Sequence, residues 1–194
     1  MKKIGCFPGT FDPIHFGHLK LINFFLEKSD LDEVWIIITP LNPLKSKCLT
    51  TENVRFKMSE LAISHMKNIT ISKIEFSLNK PNYSINTLKK LSNLYPEKKF
   101  VLLLGEDNLS NFHKWKNYQE ILNSYELYVY PRESSFFLIP ENLKNNSKIK
   151  FFKAPQIKIS SSQIRKNISD NIKVSNLIQP KVYNYIRKNK LYFI

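Results

Sequence analysis

Cysteine is scarce in this chain, and long apolar runs are absent. Only 2 of the 194 residues are cysteine, and Cys6 and Cys48 form no CxxC pair, so no disulfide framework is predicted. No run reaches the roughly 18 apolar residues that a membrane-spanning helix requires. Pro8 and Gly9 interrupt the N-terminal stretch that resembles a signal peptide. These absences predict a cytoplasmic protein with reduced thiols and no membrane partner.

Two common phosphate-binding motifs are also absent. The chain contains no GxxxxGK[ST], which excludes a P-loop enzyme, and no GxGxxG, which argues against a dehydrogenase. The chain is nevertheless strongly basic, with 30 Lys and Arg against 16 Asp and Glu, a formal net charge of +14. This charge fits a nucleic-acid-binding protein, a phosphate-rich ligand or a lysine-biased composition. The lysines are spread along the chain, so the charge alone predicts only that anions are attracted.

Short apolar runs alternate with amphipathic segments along the chain. Continuous apolar strands between such helices are typical of a parallel sheet covered on both faces. The length fits one domain, and no internal repeat divides it. We therefore predict an α/β, doubly wound parallel sheet in a single domain over residues 1–194, with a small C-terminal helical part. Strands are predicted at 4–7, 34–38, 68–71, 72–76, 100–104, 126–130 and 150–152, and helices from 17, at 52–65, 84–94, 118–123, 162–167 and 181–189.

The few glycines are unevenly placed. Only 4 are present, and Gly5, Gly9 and Gly17 lie in the first strand, the following turn and the next helix start. Gly105 comes directly after a later buried strand. A composition this poor in glycine keeps it mainly where a side chain does not fit. Because ligands of doubly wound sheets bind at the carboxyl ends of strands, these two positions predict the site.

The segment GTFDPIHFGH, residues 9–18, replaces the missing phosphate motifs. His15 and His18 lie three residues apart at a helix start, so both side chains point to the same side. A helix N-terminus attracts anions, and histidine adds a hydrogen bond and, when protonated, a charge. Two alternatives are a pair of packing histidines and a metal site that includes Asp12. The strand–glycine–helix context favours phosphate binding.

A second polar motif, ISSSQIR, lies at residues 159–165. Serines that open a helix are most often caps, but their hydroxyls also bond phosphate oxygens. Arg165, one turn further along, can bind the same phosphates with its guanidinium. Together with residues 9–18, this segment predicts a second part of one phosphate site.

These two segments resemble the signatures (H/T)xGH and ISSTxxR of the nucleotidyltransferase superfamily of adenylyl- and cytidylyltransferases. The order of further matching positions over nearly the whole chain is similar to bacterial nicotinate-nucleotide adenylyltransferases. His15 supports this group, since phosphopantetheine adenylyltransferases usually have threonine there. The further positions are Asn82 to Leu88, Leu104 to Asp107, Trp115, Arg132, Pro180, Val182, Tyr185, Ile186, Leu191 and Tyr192.

The resemblance implies a Rossmann-like nucleotidyltransferase fold that joins ATP to nicotinic acid mononucleotide and releases pyrophosphate, in NAD biosynthesis. Mg²⁺ is expected to bridge the triphosphate oxygens of ATP, with few protein ligands of its own, and no metal-ligating residue is assigned. The resemblance implies catalytic roles for His18 and His15. It assigns ATP binding to Gly9, Thr10, Phe11, His15, His18, Gly105, Asp107, Ser161, Ser162 and Arg165. It assigns binding of the mononucleotide to Lys45, Tyr83, Thr87, Trp115 and Arg132.

The chain departs from the family pattern at several positions. Pro8 replaces a common glycine, Asn86 a frequent aspartate and Ser162 a frequent threonine, and the loop 40–45 lacks the family's histidine. Nicotinamide mononucleotide and phosphopantetheine remain alternative substrates, and a basic nucleic-acid-binding protein is the alternative from another class, although no nucleic-acid partner is expected. Arg55 is interpreted either as a surface ion-pair partner or as a substrate ligand. His65 and His113 are predicted to be structural or exposed, and a monomer and a homo-oligomer are both compatible with the sequence.

Overall fold

The core of the protein is a parallel β-sheet. The structure is a computed structural model and describes residues 1–43, 48–132 and 138–193. Within them six strands pair in the order β3-β2-β1-β4-β5-β6, and every pairing is parallel. This is the strand order of doubly wound nucleotide-binding folds, so the predicted fold class is confirmed. The strands are β1 (Lys2–Gly9), β2 (Glu33–Ile38), β3 (Ile69–Ser72), β4 (Lys98–Gly105), β5 (Glu126–Tyr130) and β6 (Ile149–Phe151).

Helices cover both faces of the sheet. The predicted strand at 72–76 is wrong, because β3 ends at Ser72, whose hydroxyl accepts a hydrogen bond from the Ile74 amide (3.2 Å) and starts a 3₁₀ turn over Ile74–Ser77. A second 3₁₀ turn spans Phe112–Lys114. The helices are α1 (Phe16–Lys28), α2 (Glu52–Ile63), α3 (Ser84–Leu94), α4 (Glu106–Ser110), α5 (Tyr118–Ser124), α6 (Glu141–Lys144), α7 (Ser161–Ser169) and α8 (Pro180–Lys188).

Two hydrophobic cores lie on either side of the sheet. Along β2 the buried side chains alternate between them, since Ile36 and Ile38 face one core and Ile37 the other. The first core contains side chains of α1, α2, α7 and α8, so the C-terminal helices cover this face of the sheet together with α1 and α2. The second packs against α3, α4 and α5. In the described part of the chain, no helix is long and apolar enough to cross a membrane.

The strand order places β1 beside β4 at the centre of the sheet. The chain leaves β1 at Gly9 and β4 at Gly105, toward helices on opposite faces. A crevice therefore opens between the carboxyl ends of these two strands, where doubly wound folds bind their ligands.

A network of charged groups lies at the opposite, amino-terminal edge of the sheet. The Glu126 carboxylate forms ion pairs with three lysines, with Nζ–oxygen distances of 2.5 Å to Lys99, 2.9 Å to Lys3 and 3.0 Å to Lys150. Burial alone raises the pKa of Glu126, but the hydrogen bonds from these three lysines outweigh it and lower the pKa to about 2. The network ties the amino ends of β1, β4, β5 and β6 together.

We expect Glu126→Gln to lower the free energy of unfolding at neutral pH by about 1–2 kcal/mol, since two of the lysines are half exposed and screened by water. A depressed folded-state pKa stabilises the protein above the unfolded value of about 4.5, and this contribution is lost as the pH falls toward 2. Urea unfolding at several pH values measures it. The exposed Glu97→Gln is the control, and an equal effect of both variants at neutral pH would contradict the prediction.

Candidate active site

A cleft of about 760 Å³ lies at the carboxyl ends of the central strands. Loops after β1, β2, β4 and β5 and the beginnings of α1, α3 and α7 form its walls, and these elements bring distant segments of the chain together. Most of the predicted site residues line it, namely Gly9, Thr10, Phe11, His15, His18, Tyr83, Trp115, Arg132, Ser161, Ser162 and Arg165.

Four predicted site residues are not among those that line the cleft. Lys45 lies outside the described residues. Thr87 is buried, and its hydroxyl donates to Glu75 Oε1 (2.7 Å), so it lies behind the wall. Gly105 and Asp107 lie beside the cleft, where Asp107 Oδ1 pairs with Arg132 Nε at 3.3 Å. A Cβ atom on Gly105 would lie 2.3 Å from that Asp107 oxygen and 2.9 Å from Arg132 Nε, so a larger residue there would displace this pair.

The two histidines stack at the beginning of α1. Their ring centroids are 3.7 Å apart, and the Phe11 ring meets His18 edge-on at 4.9 Å. The His15 backbone amide donates to His18 Nδ1 at 3.2 Å. Because Nδ1 accepts this hydrogen bond, the neutral His18 ring carries its proton on Nε2. His18 can therefore donate a hydrogen bond from Nε2.

His15 is buried and uncharged near neutral pH. Burial, and secondarily the nearby Arg132 charge, lower the pKa of His15 to about 3. The side chain can exchange a hydrogen bond with a ligand, but it brings no positive charge to the cleft. Gly17 permits this close packing, because a Cβ atom there would lie 2.3 Å from Ile157 Cγ2 and 2.9 Å from His15 Nδ1.

The second motif is attached to the backbone of the first. Ser161 Oγ donates to the Pro13 carbonyl (2.9 Å), and Arg165 Nη1 donates to the Asp12 carbonyl (2.7 Å). Arg165 Nη2 also donates to Ser162 Oγ (3.2 Å). The N-termini of α1 and α7 therefore converge on the same part of the cleft, as the two sequence motifs predict.

Asp12 is a buried connection between three segments. One carboxylate oxygen accepts from Thr50 Oγ1 (2.6 Å) and from the Tyr192 hydroxyl (2.5 Å), and the other accepts from the Leu49 amide (2.9 Å). Both Asp12 oxygens are therefore occupied by protein donors, which disfavours the alternative in which Asp12 binds a metal together with His15 and His18. Among residues 1–43, 48–132 and 138–193, no group of three or more His, Cys, Asp or Glu side chains could hold a metal ion.

We expect Tyr192→Phe to lower the free energy of unfolding by about 1–2 kcal/mol, because it removes one donor from a buried carboxyl group. Thr50 and Leu49 remain bonded to Asp12 and limit the loss. Urea unfolding measures the effect. Tyr183→Phe, which removes a hydroxyl bonded to Arg187 on the surface, is the control. Equal stability of the two variants would show that the Asp12 contact contributes nothing.

Arg55 has a structural role that neither interpretation of the sequence predicted. It is 1% exposed, so it is neither a surface ion-pair partner nor a ligand on the cleft wall. Its guanidinium donates to the carbonyl oxygens of Thr10 (2.7 Å), Thr39 (2.8 Å), Pro40 (3.2 Å) and Thr50 (3.4 Å). Arg55 therefore braces the loops after β1 and β2, and backbone acceptors of this kind leave no signal in a sequence.

Aromatic and basic residues gather at the α3 end of the cleft. Trp115 is half-buried and packs against Phe112, with ring centroids 5.1 Å apart. The Lys116 ammonium lies 4.7 Å from the centre of the Tyr83 ring. Lys114 and Lys116 both line the cleft and were not predicted, although they flank Trp115 in the sequence. With Arg132 and Arg165 they make the cleft favourable for anions.

Three buried polar atoms lack a hydrogen-bond partner among the described residues. They are His15 Nδ1, Glu75 Oε2 and Trp115 Nε1, and all three residues line the cleft. Buried polar groups are almost always paired, so such atoms require an explanation. A polar ligand bound in the cleft would supply partners for atoms of this kind.

Comparisons with known proteins agree with this site. The family model described as cytidylyltransferase-like matches residues 6–167. Proteins named "Probable nicotinate-nucleotide adenylyltransferase" from Flavobacterium psychrophilum and Leptospira interrogans are 44% and 41% identical. The first alignment covers 98% of this chain and 98% of the relative, and the second covers 97% and 96%.

A solved structure supports the fold independently. The Plasmodium falciparum nicotinic acid mononucleotide adenylyltransferase complexed with NaAD superposes with a TM-score of 0.83 at 24% identity, covering 99% of this chain and 98% of that one. The matched family model spans both phosphate motifs, and the relatives match from end to end. This chain belongs to the cytidylyltransferase-like family and, within it, to the nicotinate-nucleotide adenylyltransferases.

Proposed function

We propose that this protein transfers the adenylyl group of ATP to nicotinic acid mononucleotide, giving nicotinic acid adenine dinucleotide and pyrophosphate in NAD biosynthesis. The observation that carries this proposal is the convergence of the α1 and α7 N-termini on one basic cleft that His18 also lines. Nearly full-length relatives that carry the name of this activity support it.

The reaction is an in-line displacement at phosphorus. A phosphate oxygen of the mononucleotide forms a bond to the α-phosphorus of ATP. The bond from that phosphorus to the oxygen that bridges the α- and β-phosphates breaks, and this oxygen leaves as a terminal oxygen of pyrophosphate. The nucleophile is already an anion, so no general base is required. The protein then accelerates the reaction by alignment and by neutralising charge on the pentacoordinate centre and the leaving group.

The phosphate-binding roles follow from the motif geometry. His18 is proposed to donate from Nε2 to the α-phosphate as its charge develops, while neutral His15 adds a hydrogen bond. Ser161, Ser162 and Arg165 are proposed to hold the β- and γ-phosphates, because their remaining hydrogen-bonding groups line the same end of the cleft. Mg²⁺ is proposed to arrive bound to the ATP oxygens and to neutralise part of the phosphate charge.

The adenosine is assigned to residues beside the cleft, and the pyridine ring to the α3 end of the cleft. Gly105 and Asp107 are proposed for the adenosine, and Arg132 is reassigned there because it pairs with Asp107 and its charge reaches His15. Tyr83 and Trp115 are proposed for the pyridine ring, a flat group suited to aromatic contact. The predictions for Lys45, for a cytoplasmic location and for the state of assembly remain predictions.

Pyrophosphate release from MgATP tests the function, with nicotinic acid mononucleotide, nicotinamide mononucleotide and phosphopantetheine as acceptors. We expect a large preference for nicotinic acid mononucleotide, because a site built for one polar substituent rejects its analogue strongly. Turnover of phosphopantetheine instead would keep the phosphate site but contradict the pyridine assignment. Absence of turnover with all three acceptors would contradict the enzymatic function.

A further inference from the structure

Lys116 brings a positive charge to the α3 end of the cleft, and the mechanism above does not use it. The residue follows Trp115 directly in the chain, is exposed and lines the cleft. Its ammonium lies 4.7 Å from the centre of the Tyr83 ring, which lines the same cleft. The cation is therefore held beside the aromatic side chains proposed for the pyridine ring.

Four lysine and arginine side chains line the cleft among the described residues. Three of them already bind oxygen atoms of the protein, whereas Lys116 has no hydrogen bond or ion pair within the described part of the chain. The Tyr83 ring occupies at most one of the three N–H donors of its ammonium, so donors remain for a ligand. The other three pairs are Lys114 with Asn111 Oδ1 (2.9 Å), Arg132 with Asp107 Oδ1 (3.3 Å) and Arg165 with the Asp12 carbonyl (2.7 Å).

The sheet separates Lys116 from the two phosphate motifs. Helices α1 and α7, which begin at those motifs, contribute to the first core, whereas Tyr83 and Trp115 pack against the second core on the opposite face. The 5′-phosphate of the mononucleotide must reach the α-phosphorus of ATP, so it belongs to the end of the cleft where His18 lies. The anion that remains for Lys116 is the carboxylate on the pyridine ring.

We propose that Lys116 recognises this ring carboxylate and makes the site prefer the acid mononucleotide to the amide. This inference rests on the proposed function. The ammonium donates a charge-assisted hydrogen bond to the carboxylate, whereas the uncharged amide gains no such attraction. Contact with the Tyr83 ring restricts the flexible lysine side chain before the ligand binds, which lowers the cost of ordering it.

The size of the effect follows from the exposure of Lys116. A hydrogen bond between charged groups corresponds to about 10–100-fold in affinity when water is largely excluded. Ion pairs at exposed positions are screened and contribute less. Because Lys116 is exposed at the cleft, we expect the lower end of that range, about tenfold.

The test is the ratio of kcat/KM for nicotinic acid mononucleotide to that for nicotinamide mononucleotide, measured by pyrophosphate release with saturating MgATP. Lys116→Met should lower the ratio about tenfold through weaker use of the acid, with less than about threefold change for the amide. Lys116→Arg keeps the charge and should retain most of the preference. The 5′-phosphate is common to both substrates, so its contacts cancel in the ratio.

Lys114→Met is the matched control, because it removes the same charge from the same cleft. Its ammonium is already bonded to Asn111, so both kcat/KM values should change by a similar factor and the ratio should stay within about twofold. A salt series provides a second measurement that needs no folded variant. Rising ionic strength should lower the ratio in the unchanged protein, since salt screens the attraction between the ammonium and the carboxylate.

The outcomes separate the role of Lys116 from the function. A preference for the acid that persists in Lys116→Met and at high salt overturns the role of Lys116 and leaves the function intact. An equal loss for both mononucleotides also overturns it, because the ammonium would then act on a group that the two substrates share. Absence of turnover with both mononucleotides in the unchanged protein overturns the function itself.

Discussion

Replacing His18 with alanine is expected to lower kcat about 10²–10³-fold at saturating substrate concentrations. The hydrogen bond from the His15 amide to His18 Nδ1 leaves the proton on Nε2, so the variant loses a donor that is already oriented. Such a donor stabilises charge that grows between the ground state and the transition state. The loss should therefore fall on kcat rather than on the KM for ATP.

Pyrophosphate release under saturating conditions measures this effect. His113→Ala, which removes an exposed imidazole outside the cleft lining, is the control and should keep the activity of the unchanged protein. His18→Gln retains an N–H donor near the position of Nε2 and should be less impaired than the alanine variant. A kcat of His18→Ala close to that of the unchanged protein would falsify the role proposed for this residue.

Replacing Arg55 with methionine is expected to lower the free energy of unfolding by about 3–5 kcal/mol. Methionine fills a similar volume but leaves the carbonyl oxygens of Thr10, Thr39 and Pro40 without their donor. Those carbonyls belong to the loops after β1 and β2, so the remaining folded protein should also bind ATP more weakly. Weaker ATP binding would show that the hydrogen bonds of Arg55 position the two loops, which a general loss of packing would not explain.

Chemical unfolding and an ATP titration together check this prediction. Arg187→Met on the exposed face of α8 removes the same charge and is expected to change stability by less than about 0.5 kcal/mol. If both arginine variants unfold at the same urea concentration, the network of Arg55 does not contribute to stability. A destabilised Arg55 variant with unchanged ATP affinity would show that the two loops hold their positions without it.

The fold and the phosphate site could be predicted from the sequence because both depend on local patterns and on the topology of a parallel sheet. Apolar strands such as β4 bury both faces, and parallel strands release their chains at one edge of the sheet. The two motifs lie at residues 9–18, after a strand, and at residues 159–165, at the beginning of a helix. Once a parallel sheet was predicted, both were expected at the same edge of it. Local patterns and topology were sufficient, although about 140 residues separate the two motifs.

The remaining residues depend on contacts that no local pattern encodes. Arg55 bonds to backbone carbonyls, which every residue possesses, so its burial leaves no trace in composition. Glu75 was placed in a predicted strand, where alternation would direct it outward, whereas the 3₁₀ turn directs it to the cleft. Thr87 was predicted to bind the substrate because of its motif position, but its side chain is buried and its hydroxyl donates to Glu75.

The hydrogen bond between Asp12 and Tyr192 spans 180 residues of chain. During synthesis the N-terminal part of the sheet emerges first, and the strands can pair while the last helix is still inside the ribosome. The loop that follows β1 acquires its final hydroxyl partner only when residue 192 has emerged. A nascent chain can thus pair its strands before the hydrogen bonds to Asp12 in the loop after β1 are complete.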